Sequence, residues 1–380
     1  MTPPDDVVVA GGGPAGAVAA LLLARAGYRV RVFERARFPR PKLCGDTLNP
    51  GALARLSAHL DLAPLRAAGL PLSGMRLSGP GGATVEGRYP SGRTGLAITR
   101  AQLDAWLLEA AAAAGARVDD GVRVEGPIVV DGQVRGVVVD GRAHHARLVI
   151  AADGRGSRLA HACGLVRTPA GPRRWALGVY ASDVTGVDPA FGEMHVRAGR
   201  YLGLAPVAGG ATNVCLVLGR ADAARGVADP WRAIRAAVAG DAVLGPRLAS
   251  ARPLGRPVVL GPMALDATAA GVPGLLLAGD AGGFIDPMTG DGLRLAIEGA
   301  ELAARVAGGV LEGAVGGDAA AAVLARERRR AFATKWRFNR GLRRLVDTPV
   351  AVRAAARAAG WWPAVFHRVI AFAGDVPAAA

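Results

Sequence analysis

One run of six residues constrains this chain more than any other. Gly11-Gly12-Gly13-Pro14-Ala15-Gly16 reads G-x-G-x-x-G and sits between a β-branched strand over 7–10 and a helical stretch over about 14–26. Gly11 makes a tight turn, Gly13 lets backbone N–H groups approach a pyrophosphate, and Gly16 allows close helix–strand packing. The helix start at Pro14 and Ala15 offers partial positive charge to phosphates. A second strand over 28–33 ends in Glu34-Arg35, and Glu34 stands 18 residues after Gly16, placed to accept ribose hydroxyls. With 54 glycines among 380 residues the run alone would say little, and its place between strand and helix gives it weight.

Two further segments have the same character. Asp153-Gly154 follows the buried run 148–151 and precedes Ser157 at a helix start. The chain has five Asp-Gly pairs, but those at 131 and 140 bracket alternating valine-rich runs and read as hairpin turns. Gly279-Asp280 ends another buried strand, and its carboxylate can take sugar-alcohol hydroxyls. The segment continues through Pro287 to Gly290-Asp291-Gly292, a turn that opens a helix over about 292–306.

Between these sites the texture changes. Alternating runs over 175–182, 192–197, 201–207 and 212–218, separated by glycine-rich turns, predict an antiparallel sheet. The fold class expected is α/β: a Rossmann-type nucleotide domain of the three-layer ββα kind, an inserted antiparallel β-sheet substrate domain and a helical C-terminus. The nucleotide domain is expected in three parts, 1–75, 98–168 and 261–320. Substrate-domain strands fall over 76–97, the antiparallel sheet over 169–260 and the helical region over 321–380.

The formal charge of +15 is almost wholly arginine and is spread along the chain, which reads as a solvated surface and not as a nucleic-acid site. Cys44, Cys163 and Cys215 are far apart, with no metal-ligand spacing, and fit a reducing cytoplasm. No uninterrupted apolar run is long enough to span a membrane. Residues 340–372 combine six arginines with Trp361, Trp362, Phe366 and Phe372, a mix that suits peripheral membrane contact as well as packing onto the nucleotide lobe. The oligomeric state is left open.

In this order and spacing, the three sites resemble the large flavoprotein superfamily of aromatic hydroxylases, flavin-dependent halogenases and geranylgeranyl reductases, over roughly residues 1–300. The resemblance implies FAD as cofactor and makes the Rossmann lobe an FAD-binding domain. The first site would hold the ADP half. Gly279 and Asp280 would meet the ribityl chain or pyrophosphate, and Pro287, Gly290, Asp291 and Gly292 would border the isoalloxazine. Arg100, at the start of the next helix, matches an arginine that lies near the FAD phosphates and ribose in that family.

Two segments look most like the geranylgeranyl reductase branch. Lys42-Leu43-Cys44-Gly45 is similar to its Cys-Gly segment beside the flavin, which makes Cys44 and Gly45 flavin-adjacent and Cys44 a candidate catalytic residue. Tyr201-Leu202-Gly203-Leu204-Ala205-Pro206 resembles its Tyr-x-Trp-x-Phe-Pro pattern, with Gly and Ala in place of Trp and Phe. Tyr201 and Gly203 are therefore candidate substrate-cavity residues. The expected function is FAD-dependent reduction or dehydrogenation of a carbon–carbon bond in an apolar lipid, prenyl, polyketide or aromatic molecule, with NAD(P)H as transient electron donor. The alternatives are an FAD-dependent monooxygenase and a non-catalytic flavin-binding, membrane-associated protein. No general acid is assigned: Glu193 and His195 lie on the strand face opposite Met194 and read as solvent-facing.

Overall fold

A computed structural model describes residues 4–168, 173–219, 228–284 and 287–374. Val7, Val8, Val9 and Ala10 are fully buried, which suits a strand covered on both faces. Strand Asp5–Ala10 runs parallel to Val30–Glu34 on one edge and to Arg142–Ala151 on the other, with Val7 opposite Val30 and Leu148. Arg117–Asp120 and Leu275–Leu277 extend this parallel sheet outward. Helices Pro14–Arg25, Arg100–Ala113 and Gly292–Leu311 cover one face; the last outruns its expected end by several residues. A meander of Val124–Val130, Gln133–Val139 and the start of Arg142–Ala151 supplies the third layer. Its turns at Asp131-Gly132 and Asp140-Gly141 have positive φ at both central residues, the backbone that tight hairpins require.

The second sheet orders its strands Arg252–Leu260, Arg174–Ser182, Thr212–Gly219, Arg200–Pro206, Phe191–Arg197, Gly74–Ser78 and Thr84–Arg88. Its pairs are antiparallel except one: Gly74–Ser78 lies parallel to Phe191–Arg197, because it arrives from the nucleotide lobe and not through a hairpin. Leu177, Leu202, Leu204 and Leu216 pack beneath helices Pro230–Val238 and Leu244–Leu248. The opposite face carries Ala176, Tyr201 and Val217, and meets Met288 and Val346, the latter from helix Ala320–Asp347. Helices Pro349–Trp361 and Pro363–Ala373 follow, with Ile370 buried beside Tyr89. The C-terminal ends of the parallel strands thus open toward this second face, the place where α/β sheets take their ligands.

Candidate functional site: a dinucleotide groove against a small-residue trough

At Gly11, with φ +100°, a Cβ would lie 2.5 Å from Ala152 O, and at Gly16 a Cβ would lie 1.8 Å from Gly11 O. Both glycines are demanded by packing. Gly13 differs: its nearest heavy atom would be Arg40 Nη2 at 3.6 Å, and the helix behind it has no side-chain cap. Open space over free backbone N–H groups is a seat for an anion. Glu34 is buried at the strand end, where Oε2 accepts from Gly12 N–H at 2.8 Å and Oε1 from Ala36 N–H at 2.9 Å.

A cleft of about 70 Å³, lined by Gly11, Glu34, Arg35, Arg123, Asp153 and Arg158, joins the first motif to the second. Ser157 caps the short helix after Asp153 by accepting from Ala160 N–H at 3.0 Å. Asp153 Oδ2 accepts from Arg158 N–H at 2.9 Å, whereas its buried Oδ1 has no hydrogen-bond partner among the described residues. Gly154 takes a φ of +80° in the turn that aims this carboxylate. An acceptor without a partner beside the cleft and an open backbone cradle at Gly13 are what a ribose and a diphosphate would satisfy, so the residues present fit an adenine dinucleotide.

The third motif backs onto the first: a Cβ on Gly279 would lie 2.8 Å from Ala15 Cβ. Burial raises the Asp280 carboxyl, against the charges of Lys42, Arg100 and Arg155. Burial likewise lowers the Lys42 ammonium, helped by Arg100, Arg40 and Arg35. These cations therefore converge where a diphosphate would need them. Arg100 does not hang free. Its Nε and Nη2 each donate to Asp104 at 2.7 Å, and Asp104, fully buried, also faces Arg40 Nη1 at 3.1 Å. Sequence reading passed over Asp104, although its i,i+4 spacing from Arg100 on one helix was the available signal.

Before helix Gly292–Leu311 the turn is open. At Gly290 a Cβ would meet only Thr47 Oγ1 at 3.8 Å, and at Gly292 nothing within 4 Å. Pro287 begins the short turn Pro287–Thr289, and Asp286, in the same motif, lies outside the described residues. Asp291 stands in the same turn. The residue is buried, accepts from Asn49 Nδ2 at 3.1 Å and faces Lys335 Nζ at 3.4 Å. Its carboxylate ties the C-terminal helices to this turn.

Across the groove lies the second sheet. Cross-strand partners Gly178, Cys215, Gly203 and Met194 form one row on the face that Tyr201 and Ala205 share. Leu43 lies flat on Gly178, where a Cβ would clash at 1.9 Å, but a Cβ on Gly203 would have neighbours no closer than 3.8 Å. The result is a shallow apolar trough, open at Gly203 and walled by Tyr201, which is itself buried. Gly45 is exposed, whereas Cys44 packs against the nucleotide-lobe core beside Arg100, and burial pushes its thiol up, which makes it a neutral thiol and not a ready nucleophile.

Sequence reading also missed Asp46. It is 1% exposed, with φ +53°, and its Oδ2 accepts from Tyr180 Oη at 2.5 Å and Asn213 Nδ2 at 2.6 Å. Oδ1 faces the Arg100 backbone N–H at 3.3 Å, and Asn213 Nδ2 also reaches Cys44 O at 2.7 Å. Burial pushes the Asp46 carboxyl up to about 6, with the Tyr180 and Asn213 hydrogen bonds opposing. The expected exposure of Glu193 and His195 is corrected too: they are 2% and 1% exposed, in a network with Ser78 and Arg247 under the covering helices.

Known proteins share this construction. A menaquinone reductase from Mycolicibacterium smegmatis is 32% identical over 323 residues, 78% of this chain and 75% of that protein. The FixC protein of Salmonella typhi is 35% identical, but the match spans only 37% of its length and 40% of this chain. Among solved structures, a geranylgeranyl bacteriochlorophyll reductase-like protein from Thermoplasma acidophilum superposes with a TM-score of 0.73 at 22% identity, covering 93% of this chain and 95% of its own. A flavin-dependent brominase does so with a TM-score of 0.83 at 18% identity, covering 98% and 94%. The model of the family described as "FAD binding domain" matches residues 5–337, and the chain accordingly belongs to that family.

Proposed function

We propose that this protein is an FAD-dependent oxidoreductase that reduces, or in reverse dehydrogenates, a carbon–carbon bond in an apolar molecule, in the manner of geranylgeranyl reductases. The carrying observation is the trough: a row of Gly178, Cys215 and Gly203 crossing three strands, edged by Leu43, Met194 and Tyr201, with the one buried guanidinium on this side among the described residues, Arg174, stacked 5.8 Å over the Tyr201 ring and paired with Asp347. Such a surface suits a flat or chain-like hydrocarbon, and the menaquinone reductase relative acts on an apolar molecule by name. FAD supplies the hydride chemistry when bound. The chain's part is to seat it: Gly13 and the following helix N-terminus under the diphosphate, Glu34 and Asp153 at the ribose, Asp280 at the ribityl side and the Gly290–Gly292 turn at the ring. NAD(P)H is the proposed donor, entering the same cleft transiently.

The test is product mass spectrometry with candidate polyprenyl and quinone substrates and NADPH, in air and under nitrogen. A gain of two hydrogens without oxygen dependence supports reduction; a gain of one oxygen atom makes the protein a monooxygenase. Flavin that reduces with no substrate consumed makes it a binder.

We further propose peripheral contact with an anionic membrane surface, from which an apolar substrate would come. Among the described residues no helix is long and apolar enough to cross a membrane. Trp361 is 77% exposed and Trp362 62%, at the corner between the last two helices, with exposed Arg353, Arg357 and Arg368 nearby. Co-sedimentation with anionic phospholipid vesicles at low salt, lost on replacing both tryptophans by serine, is the expected result; no co-sedimentation removes the idea.

A further inference from the structure

Reduction of a carbon–carbon double bond needs a proton as well as a hydride, and the fold places one candidate source beside the trough. Tyr180, Asn213 and Ala205 occupy consecutive strands of one row, Tyr180 opposite Asn213 and Asn213 opposite Ala205. That row lies two residues along from the row of Gly178, Cys215 and Gly203, roughly 7 Å away at the rise of a strand. Both rows point to the same face. Tyr180 is half-buried and Asp46 sits behind it with almost no solvent contact, so the phenol has the reach and the carboxyl has the shelter.

We propose that Asp46 and Tyr180 form the proton-donating pair of the cleft, Tyr180 passing its phenolic proton to the substrate while Asp46 replaces it. The inference rests on the reduction reading above. In the balanced step the π bond of the substrate is consumed. One carbon would take a hydride from FAD in its reduced form, which would be oxidised by two electrons when bound, and the other would take the Tyr180 proton. With Asp46 protonated, the Tyr180–Asp46 hydrogen bond reverses, the carboxylic O–H donating to Tyr180 Oη and leaving the phenolic proton for the substrate; that carboxylic proton moves to the phenol oxygen in the same shift, and solvent later reprotonates the carboxylate. Because the two transfers are concerted, the acid strength is that of Asp46 and no isolated phenolate forms.

The surroundings keep this carboxyl available to a proton. Its side-chain donors, Tyr180 and Asn213, are neutral. The charged and titratable groups that face it besides Tyr180 are Arg100, whose guanidinium is occupied by Asp104, and Cys44 on its own segment. Burial outweighs these contacts and holds the carboxyl near 6, within reach of a neutral cell. The geometry also offers a clean variant. Asp46 has φ +53°, a backbone that asparagine adopts with little strain, so Asp46→Asn keeps the turn while removing the carboxylic proton.

Two measurements test the pair. In the FAD-loaded protein, with geranylgeraniol as probe and dithionite as electron source under nitrogen, Asp46→Asn and Tyr180→Phe should each slow formation of saturated product by about 10²–10⁴-fold. Reduction of the bound flavin by dithionite should keep its parental rate. The wild-type rate should fall as pH rises through about 6, and that dependence should vanish in Asp46→Asn. Independently, infrared titration of the flavin-free chain should show a protonated-carboxyl band lost near pH 6, absent in Asp46→Asn and moved to higher pH in Tyr180→Phe, which removes a donor that favours the carboxylate. Parental turnover and pH profile in Asp46→Asn would overturn the donor role alone. A carboxyl titrating in the ordinary range of about 4 would overturn the pair. Failure of the wild type to saturate the probe would overturn the reduction reading and the donor role together.

Discussion

Glu193 and Asp46 are carboxylates with almost no solvent contact, each packed against the same seven-stranded sheet, and they titrate in opposite directions. Burial opposes the charge on Glu193, yet hydrogen bonds from His195 and Arg247 hold its carboxyl down at about 2. Arg247 grips both oxygens, at 2.6 and 2.9 Å, and Arg76 stands 3.7 Å away. Asp46 receives comparable distances from a phenol, an amide and a backbone N–H, and burial wins, leaving it at about 6. Burial alone therefore does not mark a working group. The charge of the partners decides whether a sheltered carboxylate is locked or left able to exchange a proton.

Removing the locked carboxylate has the largest expected effect on stability. Glu193→Ala leaves Arg247, Arg76 and His195 around an uncompensated gap, and breaking a buried pair from one side costs about 3–5 kcal/mol. Urea unfolding at neutral pH should show that loss; a change under about 1 kcal/mol would mean that solvent already reaches the network.

The pH dependence of stability separates the two groups next. Asp46 has a folded value above its ordinary 3.8, so the native state keeps a proton that the unfolded chain releases between about pH 4 and 6. Its stabilisation is full below the unfolded value and is lost as pH rises through about 6, on the order of 3 kcal/mol. Glu193, depressed from 4.5 to about 2, stabilises above the unfolded value and loses that contribution as pH falls toward 2. Melting temperatures measured across pH should accordingly show Asp46→Asn gaining on the parent between about pH 4 and 7. Parallel curves would mean that Asp46 is not protonated in the native state.

Glu34 stands in a third environment: a buried carboxylate held by two backbone N–H groups, with Arg40 Nε 3.8 Å away, at the end of the groove. Glu34→Ala should weaken FAD binding by about 1.5–3 kcal/mol through loss of a charge-assisted hydrogen bond. Full flavin retention after dilution of the purified variant would remove Glu34 from the ribose site.

What could be read from the sequence follows from the range of the interactions. The glycine turn, the hairpins at Asp131 and Asp140 and the cap at Ser157 are local, so a few neighbouring residues specify them. Strand alternation likewise put Tyr201, Gly203 and Ala205 on one face, and the cross-strand register has them there. The same alternation misled at Glu193 and His195, because the covering helices Pro230–Val238 and Leu244–Leu248 come later in the chain and leave no trace in the strand itself. The partners of Asp291, Asn49 and Lys335, are likewise 242 and 44 residues away and could not be read from its own segment. Asp46 was illegible as a site, since Tyr180 and Asn213 reach it across 134 and 167 residues.

The smallest expected effect on stability is also the sharpest statement about the open side of the sheet. Two glycines flank the trough, and they are unlike: a Cβ on Gly192 would meet Met75 Sδ at 2.8 Å, whereas one on Gly203 would have nothing nearer than 3.8 Å. Gly192 is closed by packing and Gly203 faces room. Overpacking a filled core costs about 1–3 kcal/mol, and filling open space should cost less, so Gly203→Trp should fold and load FAD with a loss below about 1 kcal/mol. Its indole would lie across the row of Gly178 and Cys215, where the apolar substrate is proposed to rest. Dithionite should still bleach the flavin of this variant, and substrate turnover should disappear. An apo or aggregated product would show that Gly203 is needed for packing, as Gly192 is. Parental turnover would move the substrate off this sheet face and leave Asp46 and Tyr180 without an acceptor beside them.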